Sequence, residues 1–170
     1  MRVVIDTNVL LVSISRKSRF HPIFKAILEG TVQLCISNSI LEEYQEIIGN
    51  EWSPSVAENV SEVLLKSPFV LRFDPHYNWV LIIDDPDDDK FADCAVASSA
   101  YFLVTDDGHF KVLKDRVFPP INVISSEDFL DFLEKKEVVW KKYQPYFPPK
   151  KHQLDFFTNQ PIPFMKLHFL

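Results

Sequence analysis

The sequence predicts an α/β domain built on a largely parallel central sheet. Short apolar, β-branched runs alternate along the chain with stretches whose apolar residues recur at helical spacing. The first run is also of a kind that suits a sheet interior. Of the four residues between Met1 and Asp6, Val3, Val4 and Ile5 are β-branched and apolar, which reads as a strand buried on both faces. It ends in Asp6-Thr7-Asn8, followed at once by Val9 and Leu10, the signal of a helix start. Ligands of open α/β sheets bind at the C-terminal ends of strands, so Asp6 stands where chemistry is usually done. The same triplet taken alone is an ordinary cap.

The other elements follow in order. Asn8 to Ile14 forms a short helix, and Arg16-Lys17-Ser18-Arg19 a basic loop. His21-Pro22 opens a helix with Ile23, Phe24, Ile27 and Leu28 on one face, stopped by Gly30. Val32 to Ile36 is a second strand. Ser37-Asn38-Ser39 caps a helix whose stripe is Ile40, Leu41, Tyr44, Ile47 and Ile48, with Gly49-Asn50 as its end. Ser53-Pro54-Ser55 starts another, with Val56, Val60, Val63 and Leu64 repeating. Phe69 to Phe73 reads as a third strand. Trp79 to Ile83 is either a strand or a surface that pairs with another subunit.

Next, Asp84-Asp85-Pro86-Asp87-Asp88-Asp89 crowds five acids into six positions, and a small-residue helix emerges from them. Tyr101 to Val104 is a buried strand ending in Thr105-Asp106-Asp107-Gly108. A short helix around Phe110 to Leu113, a strand at Ile121 to Ile124 and a helix from Ser126 to Lys136 complete the domain, the last with a capping-box-like start. Residues 1–136 form this domain. Residues 137–170 form a separate tail, and from Tyr143 onward it holds five of the twelve prolines, many aromatics and little periodicity. It reads as extended or mobile, a surface for a partner.

Composition narrows the function. An apolar content of 46% supports a sizeable core, no run approaches a membrane span, and no signal-peptide pattern opens the chain. Cys35 and Cys94 lack metal-ligand spacing and read as free buried thiols in a reducing cytosol. A net charge of −6 argues against a protein that grips nucleic acid by bulk positive charge. It leaves open a metal-dependent enzyme whose negative charge is concentrated in a carboxylate pocket.

Four segments bring acids toward one sheet edge: Asp6 after the first strand, Glu42 and Glu43 in the first turn of the Ser39 helix, Asp88 with Asp89 and Asp93 at the small-residue helix, and Asp106 and Asp107 after the strand at Leu103-Val104. Each is individually explained as a cap, a turn or a complement to a helix dipole. Together they repel unless compensated. Hard cations with oxygen ligands, Mg²⁺ or Mn²⁺, supply that compensation, and a phosphodiester is the substrate that uses them.

On these residues the chain resembles PIN-domain nucleases, which include the VapC-type toxins of toxin–antitoxin pairs. Asp6-Thr7-Asn8-Val9-Leu10 is similar to the family's opening, and Ser39-Ile40-Leu41-Glu42-Glu43-Tyr44 to its second acidic motif, with the metal acid at Glu43. Asp88-Asp89-Lys90-Phe91-Ala92-Asp93-Cys94-Ala95 is similar to the third and selects Asp88, with Asp93 as alternative or additional ligand. Thr105-Asp106-Asp107 is similar to the fourth and selects Asp107. His109 stands where a further Asp is frequent, a departure at the fourth corner.

The resemblance covers about residues 1–130. It implies a three-layer sandwich around a mostly parallel sheet and Mg²⁺- or Mn²⁺-dependent RNA cleavage in the cytoplasm. It implies Asp6, Glu43, Asp88 and Asp107 as the catalytic, metal-holding acids with Asp93 close by, a homodimer and, for the toxin branch, an antitoxin partner. Thr7 or Asn8 would orient a ligand or the scissile phosphate, and Arg16, Lys17 and Arg19 would contact the RNA backbone. Two other readings compete. A haloacid-dehalogenase-type phosphatase needs a second Asp where Asn8 stands. A PIN-like binding module with a weak metal site is favoured by the altered fourth corner and the aromatic tail.

Overall fold

The computed structural model describes residues 1–114 and 116–135; the expected tail from residue 137 lies outside the described residues. The elements are β1 (Arg2–Ile5), α1 (Thr7–Ile14), α2 (His21–Leu28), β2 (Gln33–Ile36), α3 (Asn38–Glu51), α4 (Pro54–Lys66), β3 (Val70–Arg72), a 3-10 turn (Pro86–Asp88), α5 (Asp89–Ser98), β4 (Phe102–Val104), a second 3-10 turn (Gly108–Leu113), β5 (Val123–Ile124) and α6 (Ser126–Lys135).

All strand pairs are parallel and the order is β3-β2-β1-β4-β5. The chain therefore winds outward from β1 through β2 to β3, then returns to the other side of β1. Because parallel crossovers keep one hand, that reversal puts helices on both faces of the sheet and makes three layers. The expected α/β three-layer architecture is present. The central strand is sealed: Val3, Val4 and Ile5 have no exposed surface.

Aromatic side chains fill the space around β4. Phe102 meets Phe132 and Phe129 of α6 edge-on, at 5.3 and 6.1 Å between ring centres. Phe91 of α5 and Phe110 of the second 3-10 turn meet edge-on at 6.3 Å, and both are fully buried. Such pairs favour offset or edge geometry. This one clamps together the two turns that carry Asp88 and His109.

Two local expectations are corrected. Gly49-Asn50 does not end α3, which continues to Glu51. The break comes at Trp52-Ser53 because Pro54 disfavours helical backbone in the residue before it, and Ser53 then caps α4. Trp79 to Ile83 is not a strand. Its backbone N–H groups go to carboxylates of α5 instead of a sheet partner: Trp79 to Asp93 at 2.9 Å, and Leu81 and Ile82 to one oxygen of Asp89 at 2.7 and 2.9 Å. Leu81 and Ile82 are buried while Val80, in the left-handed region, and Ile83 face outward.

Candidate metal centre

The switch in winding direction lies between β1 and β4, and the acids gather at the C-terminal ends of these strands. Asp6 caps α1, accepting from the N–H of Asn8 at 3.4 Å. Its other oxygen accepts from Thr105 Oγ1 at 2.7 Å. The carboxylate is buried, and burial raises its pKa; the charges of Glu43 and Asp107 push the same way, against the hydrogen bonds from Thr105 and Asn8.

Glu43 lies in the second turn of α3, brought inward because the next residue, Tyr44, is buried and donates its hydroxyl to the carbonyl of Ile5. Both Glu43 oxygens are occupied. Thr7 Oγ1 donates to Oε1 at 2.5 Å, and Lys90 Nζ stands 2.6 Å from Oε2. Thr7 thus orients one acid from the residue directly after another.

Asp88 ends the first 3-10 turn and opens α5. Its Oδ2 is buried with no hydrogen-bond partner, and the facing atom, Nδ1 of His109, lies 3.4 Å away. Burial first, then the charges of Asp85, Asp107 and Asp6, push the Asp88 pKa up to about 6, with His109 pulling the other way. Asp107 caps the second 3-10 turn through His109 N–H at 2.8 Å, and its own N–H donates to Thr105 Oγ1 at 3.0 Å. Asp6 and Asp88, whose pKa values are raised by burial and by neighbouring carboxylate charges, suit a divalent cation, and the buried Asp88 oxygen is the kind of ligand atom such an ion takes.

A sequence model of the PIN domain matches residues 2–109. The chain belongs to the PIN-domain family. The fold of this PIN domain is similar to a chain of VapBC2 from Rickettsia felis, solved bound to a DNA fragment from their promoter. The TM-score is 0.53 at 18% identity, covering 74% of this chain and 98% of that one. At that identity the likeness is one of fold. No curated protein matches the chain.

Within the PIN domain, Asp6, Glu43, Asp88 and Asp107 are brought to one edge with Thr7 and Asn8 beside them, and other sequence candidates have partners or positions elsewhere. Asp93 is turned to Trp79 N–H, beside a polar cleft of 380 Å³ that it lines with Ser37, Asn38, Asp74 and Lys90. Asp106, the neighbour that the resemblance passed over for Asp107, takes the Ser126 N–H at 2.9 Å and its hydroxyl at 2.6 Å. Asn8 is exposed beside Asp6. Arg16 and Lys17 are exposed beyond the far end of α1, eight residues or about 12 Å along a helix from the acids. Arg19 is ion-paired with Glu127.

Sequence reasoning did not single out Asp85, which stands 3.7 Å from His109, or Lys90, which pairs with Glu43. Asp85 was one of five acids without a distinguishing local signal. Lys90 shows itself only when α5 and α3 pack.

Proposed function

We propose that this PIN domain is a divalent-cation-dependent endoribonuclease and the toxin member of a toxin–antitoxin pair. One observation carries the reading: Asp6, Glu43, Asp88 and Asp107 converge at the β1–β4 switch with a buried Asp88 oxygen left unpartnered. Such an arrangement costs the fold stability unless a cation answers it.

Asp6, Glu43, Asp88 and Asp107 would hold Mg²⁺ or Mn²⁺, which when bound supplies charge for a phosphoryl oxygen and acidifies water. The chain's own groups set the stage. Thr105 and the Asn8 N–H fix Asp6, and Thr7 fixes Glu43. Lys90, half-buried at Glu43, is placed to meet a phosphate oxygen entering the site. Asn8 beside Asp6 would donate to the scissile phosphate, and Arg16 and Lys17 would take phosphates further along a bound RNA strand.

The likeness to VapBC2, a structure bound to DNA from their promoter, supports an antitoxin partner. The aromatic cluster of exposed Tyr77 and Phe118 around partly buried Trp79, with exposed Val80, Ile83 and Val117 near it in sequence, supports a protein contact and hence the homodimer. Free, buried Cys35 and Cys94 support a reducing cytoplasm. Among the described residues no helix is long and apolar enough to cross a membrane.

A second reading, a PIN-like interaction module with idle chemistry, is favoured by Lys90 already neutralising Glu43. Cleavage of mixed-sequence RNA with Mg²⁺ or Mn²⁺, against Asp6→Ala and an EDTA control, separates the two. The nuclease reading expects metal-dependent cleavage lost in Asp6→Ala. An inert wild type that binds no metal by calorimetry overturns it in favour of the module.

A further inference from the structure

We propose that Asp85, Asp88 and His109 form a cation position with a nitrogen ligand, so that the ion held here is a first-row transition ion in preference to Mg²⁺. The inference rests on reading this edge as a metal centre, and is independent of RNA being the substrate.

The geometry is that of ligands waiting around a shared point. One atom each from Asp85, Asp88 and His109 lies within 4.8 Å of the others. His109 Nδ1 is 3.4 Å from Asp88 Oδ2 and 3.7 Å from Asp85 Oδ2. These separations exceed the usual N–H···O range of about 2.7–3.2 Å. Ligands about 2.1 Å from one ion stand about 3.0–3.6 Å apart at angles between square and trigonal; the Asp88 separation falls in that range and the Asp85 separation just beyond it.

Each donor is fixed independently of the others. Asp85 Oδ1 is used to cap its turn through Asp87 N–H at 3.2 Å, which leaves Oδ2 for the site. Asp107 holds the His109 backbone, and the Phe91–Phe110 contact locks the two turns together. Asp88 Oδ2 is shielded from solvent and makes no well-formed hydrogen bond, with His109 Nδ1 facing it at 3.4 Å. A buried anionic oxygen so weakly answered is costly, and a cation shared between it and the imidazole removes that cost.

The donor set decides the class of ion. Mg²⁺ takes oxygen ligands in near-octahedral geometry and sheds water reluctantly, whereas imidazole suits the transition ions, of which Mn²⁺ binds mixed nitrogen–oxygen sites most weakly. His109 therefore biases a site that carboxylates alone would leave to Mg²⁺.

Mn²⁺ added to the metal-stripped full chain provides the test, read by pulsed EPR for ¹⁴N modulation and by Mg²⁺ competition. Wild type should show imidazole ¹⁴N coupling. His109→Asp should still bind Mn²⁺, lose the coupling, and need about tenfold less Mg²⁺ for displacement. Asp85→Asn should weaken Mn²⁺ binding by about tenfold. Bound Mn²⁺ without ¹⁴N coupling in wild type, or coupling that survives His109→Asp, overturns the proposal. Nitrogen-coupled Mn²⁺ with no RNA cleavage supports this site and sinks the nuclease reading. Cleavage by an ion lacking nitrogen coupling does the reverse, and absence of any metal binding removes both.

Discussion

Thr105 donates its hydroxyl to Asp6 at 2.7 Å although 99 positions separate the two residues. The bond ties the end of β4 to the end of β1, where the sheet changes winding direction. The same oxygen accepts the Asp107 N–H, so one hydroxyl sets two corners of the site. Thr105→Val keeps the shape and removes the donor. We expect RNA turnover to fall about tenfold, mainly in kcat, with Thr105→Ser recovering most of it. A loss confined to KM would mean that Thr105 serves substrate binding instead of positioning Asp6.

Asp6→Asn separates catalysis from stability. Burial holds the Asp6 pKa up, so ionised Asp6 costs the metal-free fold. The amide keeps one oxygen for the Asn8 cap, and its NH2 takes the place of the other and donates to Thr105 Oγ1. Cleavage should drop by about a hundredfold or more while the melting temperature holds or rises. A large fall in melting temperature together with retained cleavage would make Asp6 a structural cap only.

The pH dependence of the metal-free protein follows from Asp88, whose pKa is raised from 3.8 to about 6. A raised carboxyl pKa favours the protonated native state. That stabilisation is fully present below about 3.8 and is lost as pH rises through about 6. Melting temperature should therefore decline between about pH 4 and 6, from the ordinary to the raised pKa, and Asp88→Asn should flatten the decline. Added Mn²⁺ should reverse it at neutral pH and have less effect below pH about 6, where proton and ion compete. A profile identical in wild type and Asp88→Asn would remove Asp88 as its origin.

Asp93 distinguishes a ligand from a scaffold. It accepts the Trp79 N–H, so Asp93→Ala should cost about 1–3 kcal/mol in urea denaturation by stranding that donor. Cation affinity measured by calorimetry should stay unchanged. A tenfold loss of affinity, an amount about equal to 1.4 kcal/mol, would instead return Asp93 to the metal centre.

The sequence by itself determined the alternation of strands and helices, the caps at Asp6, Ser37 and Ser53, and the four segments that carry acids. These signals are local: periodicity, β-branching and capping are properties of neighbouring residues and need no partner elsewhere. Local signals alone did not separate Asp107 from its neighbour Asp106, or Asp88 from Asp93 five residues on; only the family resemblance selected between them, because nearby acids are chemically equal until something distant takes one of them. Ser126 takes Asp106 and the loop at Trp79 takes Asp93. The tertiary structure alone set Lys90 against Glu43 and His109 among Asp85, Asp88 and Asp107. Those relationships arise only when strands far apart in sequence lie parallel and their ends share an edge. The charge on a side chain is written in the sequence, but its partner is chosen by packing.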